Sequence, residues 1–174
     1  MPIEKIIFLD FDGVLNTEYY QAQLLRQGRS CKDENGMFFD PEAVAQLKRV
    51  VDETNADIVI ESSWKYIGLE AMRRLWMSRA MPGQLIGMTS SSVSDEWLLN
   101  SDLEDFDSHV RQCKGIKIAS WLTENVTPNT QYVIIDDEDI CLANQLSHFI
   151  PTNPYDGLTE EMASRAICIL NKKS

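Results

Sequence analysis

An apolar run, Ile6-Ile7-Phe8-Leu9, passes directly into Asp10-Phe11-Asp12-Gly13-Val14-Leu15-Asn16. A strand that ends in two carboxylates one residue apart constrains the rest of the chain. Side chains alternate faces along a strand, so Asp10 and Asp12 can point the same way while Phe11 points opposite. Gly13, lacking a Cβ, lets the chain turn sharply after them. Two carboxylates held this close repel, and burial raises the cost of charging them. A hard cation such as Mg²⁺, which prefers oxygen ligands, resolves the conflict. The bland alternative is a strand running out into a polar loop with both carboxylates solvated.

The same grammar recurs. Tyr132-Val133-Ile134-Ile135 leads into Asp136-Asp137-Glu138-Asp139, and Ile58-Val59-Ile60-Glu61 ends in Ser62-Ser63-Trp64. Parallel strands of an α/β sheet present their carboxyl ends at one edge, where ligands bind. Between these runs the pattern alternates strand and helix. Strands are expected over about 4–10, 57–61, 85–88, 131–136 and 149–150. Asp40-Pro41 opens a helix that runs to about Asn55, with proline at its first position. Further helices are expected over 66–80, from about Ser108 to Glu124, and from Thr159 onward. The polar, acidic segment from Ser90 to Asp107 reads as loop with one helical turn. Such alternation predicts a parallel sheet with helices on both faces, a three-layer Rossmann-like α/β fold. No linker or repeat interrupts it, so residues 1–174 read as one domain.

Composition fits a compact globular domain. The 174 residues can bury a real core, and 44% hydrophobic with 25% charged is ordinary for a globular protein. No stretch approaches the roughly 20 apolar residues of a membrane span, and no signal-peptide pattern opens the chain. Cys31, Cys113, Cys141 and Cys168 show no C-x-x-C spacing and read as free thiols of a reducing compartment, which points to the cytoplasm. The net charge of −11 argues against broad binding to a nucleic-acid backbone. An insert of about 24 residues, Asn16 to Phe39, is the exception to the acidic balance: Tyr19, Tyr20, Arg26, Arg29 and Lys32 make it aromatic and basic. It is either a packed surface element or a lid that stacks on a base or pairs with a phosphate.

The ordered set Asp-x-Asp, strand-Ser, Lys, strand-Asp-Asp resembles the four motifs of the haloacid dehalogenase-like (HAD) superfamily of phosphotransferases. Phe8 to Asn16, Ile58 to Trp64, the Lys114-Gly115-x-x-Ile118-x-x-Trp121-Leu122 helix, Ile134 to Asp137, and Asp156-Gly157-Leu158-Thr159 resemble the small HAD domains related to those of Swiss-army-knife RNA repair proteins. The resemblance implies a Mg²⁺-dependent phosphomonoester hydrolase, with the insert at 16–39 as a flap or minimal cap. It implies Asp10 as nucleophile, forming an aspartyl-phosphate, and Asp12 as the acid that protonates the leaving oxygen and then activates water. Mg²⁺ would contact Asp10, the Asp12 backbone carbonyl and Asp137, with Asp136 close by or bonded through water. Asp139 would be a solvated or capping residue.

For phosphate binding the resemblance favours Gly13, Ser62 over Ser63, and Lys114 over Lys117, with Arg111 nearby. Ser63 would then be the turn or cap residue. Trp64 would pack beneath the site. Lys65 stands where relatives often carry Arg, but the sequence gives no further support for a phosphate contact there. His109 and His148 are isolated and read as structural. A receiver domain also gathers acidic residues, Ser/Thr and Lys, but its acceptor Asp ends a strand, whereas Asp57 precedes one. A catalytically silent HAD-like binding module is the other alternative. Nucleotides, nucleic-acid ends, phosphosugars and phosphoproteins all remain open as substrates.

Overall fold

The computed structural model describes residues 2–100 and 113–173. Thirteen elements are used below: strands β1 (Lys5–Leu9), β2 (Lys32–Asp33), β3 (Gly36–Met37), β4 (Asp57–Ile60), β5 (Leu85–Met88), β6 (Gln131–Asp136) and β7 (Phe149–Pro151), and helices α1 (Glu18–Arg26), α2 (Pro41–Thr54), α3 (Leu69–Ser78), α4 (Asp95–Leu99), α5 (Lys114–Asn125) and α6 (Glu160–Leu170). Five strands form one parallel sheet in the order β5-β4-β1-β6-β7, with β1 at the centre.

The alternation of β1 sorts its side chains between two cores. Ile7 and Leu9 join Ile58, Ile60, Val133 and Ile135 beneath Leu47 and Val50 of α2, Met72, Leu75 and Trp76 of α3, and Ala163, Ala166 and Leu170 of α6. Ile6 and Phe8 face the other way, with Val59, Ile134 and Ile118 of α5. There Phe8 meets Trp121 edge to face, ring centroids 5.6 Å apart. The sheet is therefore covered on both sides, as the alternating pattern predicts. Ile6, Ile7, Phe8 and Leu9 are all fully buried. Each such burial contributes roughly 1.5–3 kcal/mol, so the backbone that delivers Asp10 is firmly fixed.

Helix α2 begins as expected: the Asp40 side chain accepts from the Glu42 N–H, and Pro41 follows. Asn55 ends it in the left-handed conformation at φ 56°. Asp40 also accepts from the Thr17 hydroxyl at 2.7 Å, which ties the base of the insert to α2. The insert itself folds as α1 followed by the β2–β3 hairpin, in which Lys32 pairs with Met37 and Asp33 with Gly36.

The helix expected over 66–80 is interrupted. A tight 3-10 turn over Ser63–Ile67 precedes α3, and Gly68 between them has φ 88°, which a helix does not accommodate. A second 3-10 turn, Ala143–His148, was not expected from the sequence. Helix α4 supplies the single helical turn of the acidic segment; the rest of that segment, from 101 on, and the expected helix start at Ser108 lie outside the described residues. The four cysteines are unpaired. His148 is structural as expected, stacked on Tyr132 at 4.0 Å with Nδ1 against the Tyr132 carbonyl; His109 lies outside the described residues. Among the described residues, no helix is long and apolar enough to cross a membrane.

Candidate active site

Because β1, β4 and β6 are parallel and in register, their carboxyl ends meet at one edge: Leu9 lies between Ile60 and Ile135. The residues after them are Asp10, Glu61-Ser62 and Asp136-Asp137. One carboxylate oxygen from each of Asp10, Asp136 and Asp137 falls within 4.8 Å of the others. Asp10 and Asp136 are buried, 4% and 1% exposed, and Asp137 is half-buried.

Hydrogen bonds hold the two buried carboxylates from both sides. Asp10 Oδ1 accepts from the Phe11 N–H at 2.8 Å, and Asp136 Oδ1 from the Glu138 N–H at 3.0 Å. Their other oxygens face Lys114, whose Nζ donates to Asp10 Oδ2 at 3.2 Å and to Asp136 Oδ2 at 2.9 Å. Burial, with Asp136 adding repulsion, pushes the Asp10 carboxyl up to about 8 despite Lys114. Burial likewise raises Asp136, to about 6. For Lys114, burial works against the charge, but Asp10 and Asp136 more than offset it and keep the ammonium protonated.

Three converging carboxylates against one lysine leave the cluster short of positive charge. All of its donors are oxygens, which suits a hard divalent cation. Gly13 makes the approach feasible: at φ 76°, a Cβ there would lie 2.4 Å from Asp137 Oδ2. The loop is drawn tight by the Phe11 carbonyl, which accepts from the N–H groups of Val14, Leu15 and Asn16. Thr152, just past β7, donates its hydroxyl to the Gly13 carbonyl at 2.8 Å.

Asp12 is placed differently. Its side chain is exposed and stands outside the carboxylate trio. Its Oδ1 accepts from Asn16 Nδ2 and, at 3.0 Å, from the indole Nε1 of Trp64. Trp64 does pack, edge to face on Phe11, but the indole hydrogen bond is a second role that the sequence reading missed. Asn16 was also given no role there. Its spacing four residues after Asp12 in a glycine turn was the available signal.

Ser62 is 1% exposed, and its hydroxyl accepts from the Trp64 N–H at 3.3 Å. Of the turn or cap role expected of Ser63, the cap belongs to Ser62, while Ser63 opens the 3-10 turn. Among the described residues the Ser62 hydroxyl hydrogen has no protein acceptor. Lys65 turns away to a buried network, with Nζ 2.7 Å from the Thr89 hydroxyl, 3.1 Å from the Ser90 carbonyl and 3.2 Å from Glu61. Those contacts use its three donors within the protein. Burial lowers its pKa. Of the two candidate lysines, Lys114 reaches the carboxylates; Lys117, a turn further on, makes no ion pair among the described residues. Asp139 is exposed and apart from the cluster. Arg111 lies outside the described residues.

The start of α5, and so Lys114, is stapled to the loop that follows β6. The Gly115 N–H donates to the Ile140 carbonyl at 3.0 Å. Buried Gln145 donates to the Gly115 carbonyl at 2.8 Å and accepts from the Leu142 N–H. No pattern in the sequence announces Gln145, because it belongs to the unexpected 3-10 turn.

A family model described as the HAD domain in Swiss Army Knife RNA repair proteins matches residues 6–163, a span holding every residue of the site. No curated protein and no solved structure matches the chain.

Proposed function

The chain belongs to the HAD domains of Swiss Army Knife RNA repair proteins, a phosphatase-type hydrolase family, and from that premise we propose a divalent-metal-dependent phosphomonoester hydrolase in which Asp10 is the attacking group. The observation that carries this reading is the convergence of Asp10, Asp136 and Asp137 within 4.8 Å beneath the ammonium of Lys114. A phosphomonoester at neutral pH is anionic, so neutralising charge is the main task of such a site. Asp10, Asp137, the Asp12 backbone carbonyl and Asp136 would hold Mg²⁺, which supplies the charge neutralisation that one lysine cannot.

In the first step an Asp10 oxygen bonds to phosphorus as the ester P–O bond breaks, and protonated Asp12 gives its proton to the departing oxygen. In the second, Asp12, now a carboxylate, takes a proton from water as that water attacks the phosphorus. Asp10 is released with inorganic phosphate. Lys114 balances phosphoryl charge, and the Ser62 hydroxyl is free to donate to a phosphoryl oxygen.

For the substrate we favour a nucleotide or nucleic-acid terminus. The family's namesakes are RNA repair proteins. Tyr19 of the insert and Tyr155 are exposed and paired edge to face at 5.8 Å, and Arg26 and Arg29 are exposed on the same insert. Purified protein is assayed with an aryl phosphate with and without Mg²⁺, then with nucleotides, 5′- and 3′-phosphorylated oligonucleotides and phosphosugars. Mg²⁺-dependent release with the highest kcat/KM on nucleotides or oligonucleotides is expected. No hydrolysis of any of them would identify a silent binding module instead.

A further inference from the structure

Asp12 is exposed, yet one of its oxygens is held by two neutral donors, Asn16 Nδ2 and Trp64 Nε1. Both act on Oδ1; among the described residues, Oδ2 accepts from no protein donor. An indole N–H only donates and does not titrate in the physiological range, so it orients a carboxyl group without competing for its proton. Two donors on Oδ1 fix the rotation of the carboxyl group and leave Oδ2 open.

The indole is clamped in turn. Phe11 meets it edge to face at 5.2 Å and Phe39 lies tilted against it at 5.7 Å. The β2–β3 hairpin closes the remaining side: a Cβ on Gly36 would sit 2.9 Å from the Trp64 ring. The hairpin is fastened by Arg79, which donates to the Met37 carbonyl at 2.8 Å, the Gly36 carbonyl at 3.2 Å and Asp33 at 3.1 Å. The same guanidinium lies 4.5 Å above the Phe39 ring and 6.0 Å from that of Trp64. A continuous set of contacts thus runs from Arg79 through the hairpin and the indole to the Asp12 carboxyl.

We propose that Trp64 is a positioning residue for Asp12, aiming Oδ2 at the leaving oxygen, and that the β2–β3 hairpin holds Trp64 in place. This rests on the reading of Asp12 as the general acid. A positioned acid matters most when the leaving group is basic and least when it departs readily as an anion. Trp64→Phe keeps an aromatic ring and removes the donor. The readout is kcat/KM, which covers only the steps through phosphoryl transfer, for 4-nitrophenyl phosphate and for a nucleoside 5′-monophosphate.

The ratio of the aryl to the alkyl value should rise about tenfold in Trp64→Phe, as expected for losing one hydrogen bond to an acid that contributes ~10²-fold or more. Gly36→Ala, which presses the hairpin into the ring, should raise the ratio in the same direction by less. An unchanged ratio in Trp64→Phe overturns the positioning role, and one unchanged only in Gly36→Ala overturns the hairpin's part. Asp10→Asn separates this from the hydrolase reading itself, because it should remove turnover of both substrates whatever Trp64 does. The contact is also read in the folded protein without touching Trp64. Of the four indole N–H resonances, that of Trp64 should shift in Asp12→Ala, and an unmoved signal contradicts the hydrogen bond.

Discussion

The carboxyl edge of the sheet has two halves that treat an aspartate in opposite ways. On one, Asp10 is buried with Asp136 against Lys114, and Asp137 leans over Gly13. On the other, two residues along the chain, Asp12 is exposed and, among the described residues, held by the neutral donors of Asn16 and Trp64. The first half concentrates charge that a cation must balance; the second fixes direction and leaves an oxygen open to solvent. On the proposed reading, a cation bound in the first half offsets the burial of Asp10 and lets it act as nucleophile, while Asp12 carries the proton.

The largest expected effect comes from abolishing the charge in the first half. Asp10→Asn should lower phosphatase turnover by ~10³-fold or more, since the covalent route is lost. Asp12→Asn should cost ~10²-fold or more in kcat/KM on an alkyl phosphate and less on an aryl phosphate. Equal losses on the two substrates would erase the distinction between the halves.

A packing change should act on the first half alone. Gly115→Ala would place a Cβ 2.5 Å from the Ile140 carbonyl oxygen and 2.8 Å from the Gln145 amide oxygen. Backbone cannot give way cheaply, so the protein should lose about 1–3 kcal/mol in denaturant titration. Its activity should fall with both kinds of leaving group, because Lys114 moves and Asp12 does not. A selective loss on alkyl phosphates would contradict this.

Proton and metal linkage offers a third break. Asp10 and Asp136 have pKa values raised from 3.8 to about 8 and about 6. Between those limits the folded protein binds more protons than the unfolded chain, so stability falls as pH rises. The Tm of metal-free protein should therefore drop between about pH 5 and 8, and Asp10→Asn should flatten the drop. Mg²⁺ should raise Tm by binding the native state, more so at higher pH, and Asp137→Asn should weaken that response more than Asp139→Asn. Equal effects of the two substitutions would mean that the ligand assignment is wrong. The smallest effect belongs to the insert: replacing Arg26 and Arg29 by Ala should raise KM a few-fold for oligonucleotide ends and leave it unchanged for a small aryl phosphate. A uniform change would make those arginines structural.

The sequence made the first half legible and the second only partly so. Strand ends followed by acidic residues carry a local signal, and parallel pairing then assembles Asp10, Asp136 and Asp137 with no further information. The Asp40-Pro41 start of α2 and the Asn55 end were readable for the same local reason. Trp64, Gln145 and Thr152 act through contacts between segments distant in sequence, such as Trp64 with Asp12 or Gln145 with Gly115. No periodicity encodes such contacts. The break at Gly68 was visible as a glycine, but an isolated glycine in a helical pattern does not by itself show whether the helix stops.

The central claim is that Asp10 takes the phosphoryl group. In Asp12→Asn the second step lacks its base, so a readily departing aryl phosphate should load the protein faster than water unloads it. Acid quench, proteolysis and mass mapping of that variant should find phosphate retained on the peptide containing Asp10, and on no other. Aryl alcohol released with no phosphate on that peptide would contradict the account.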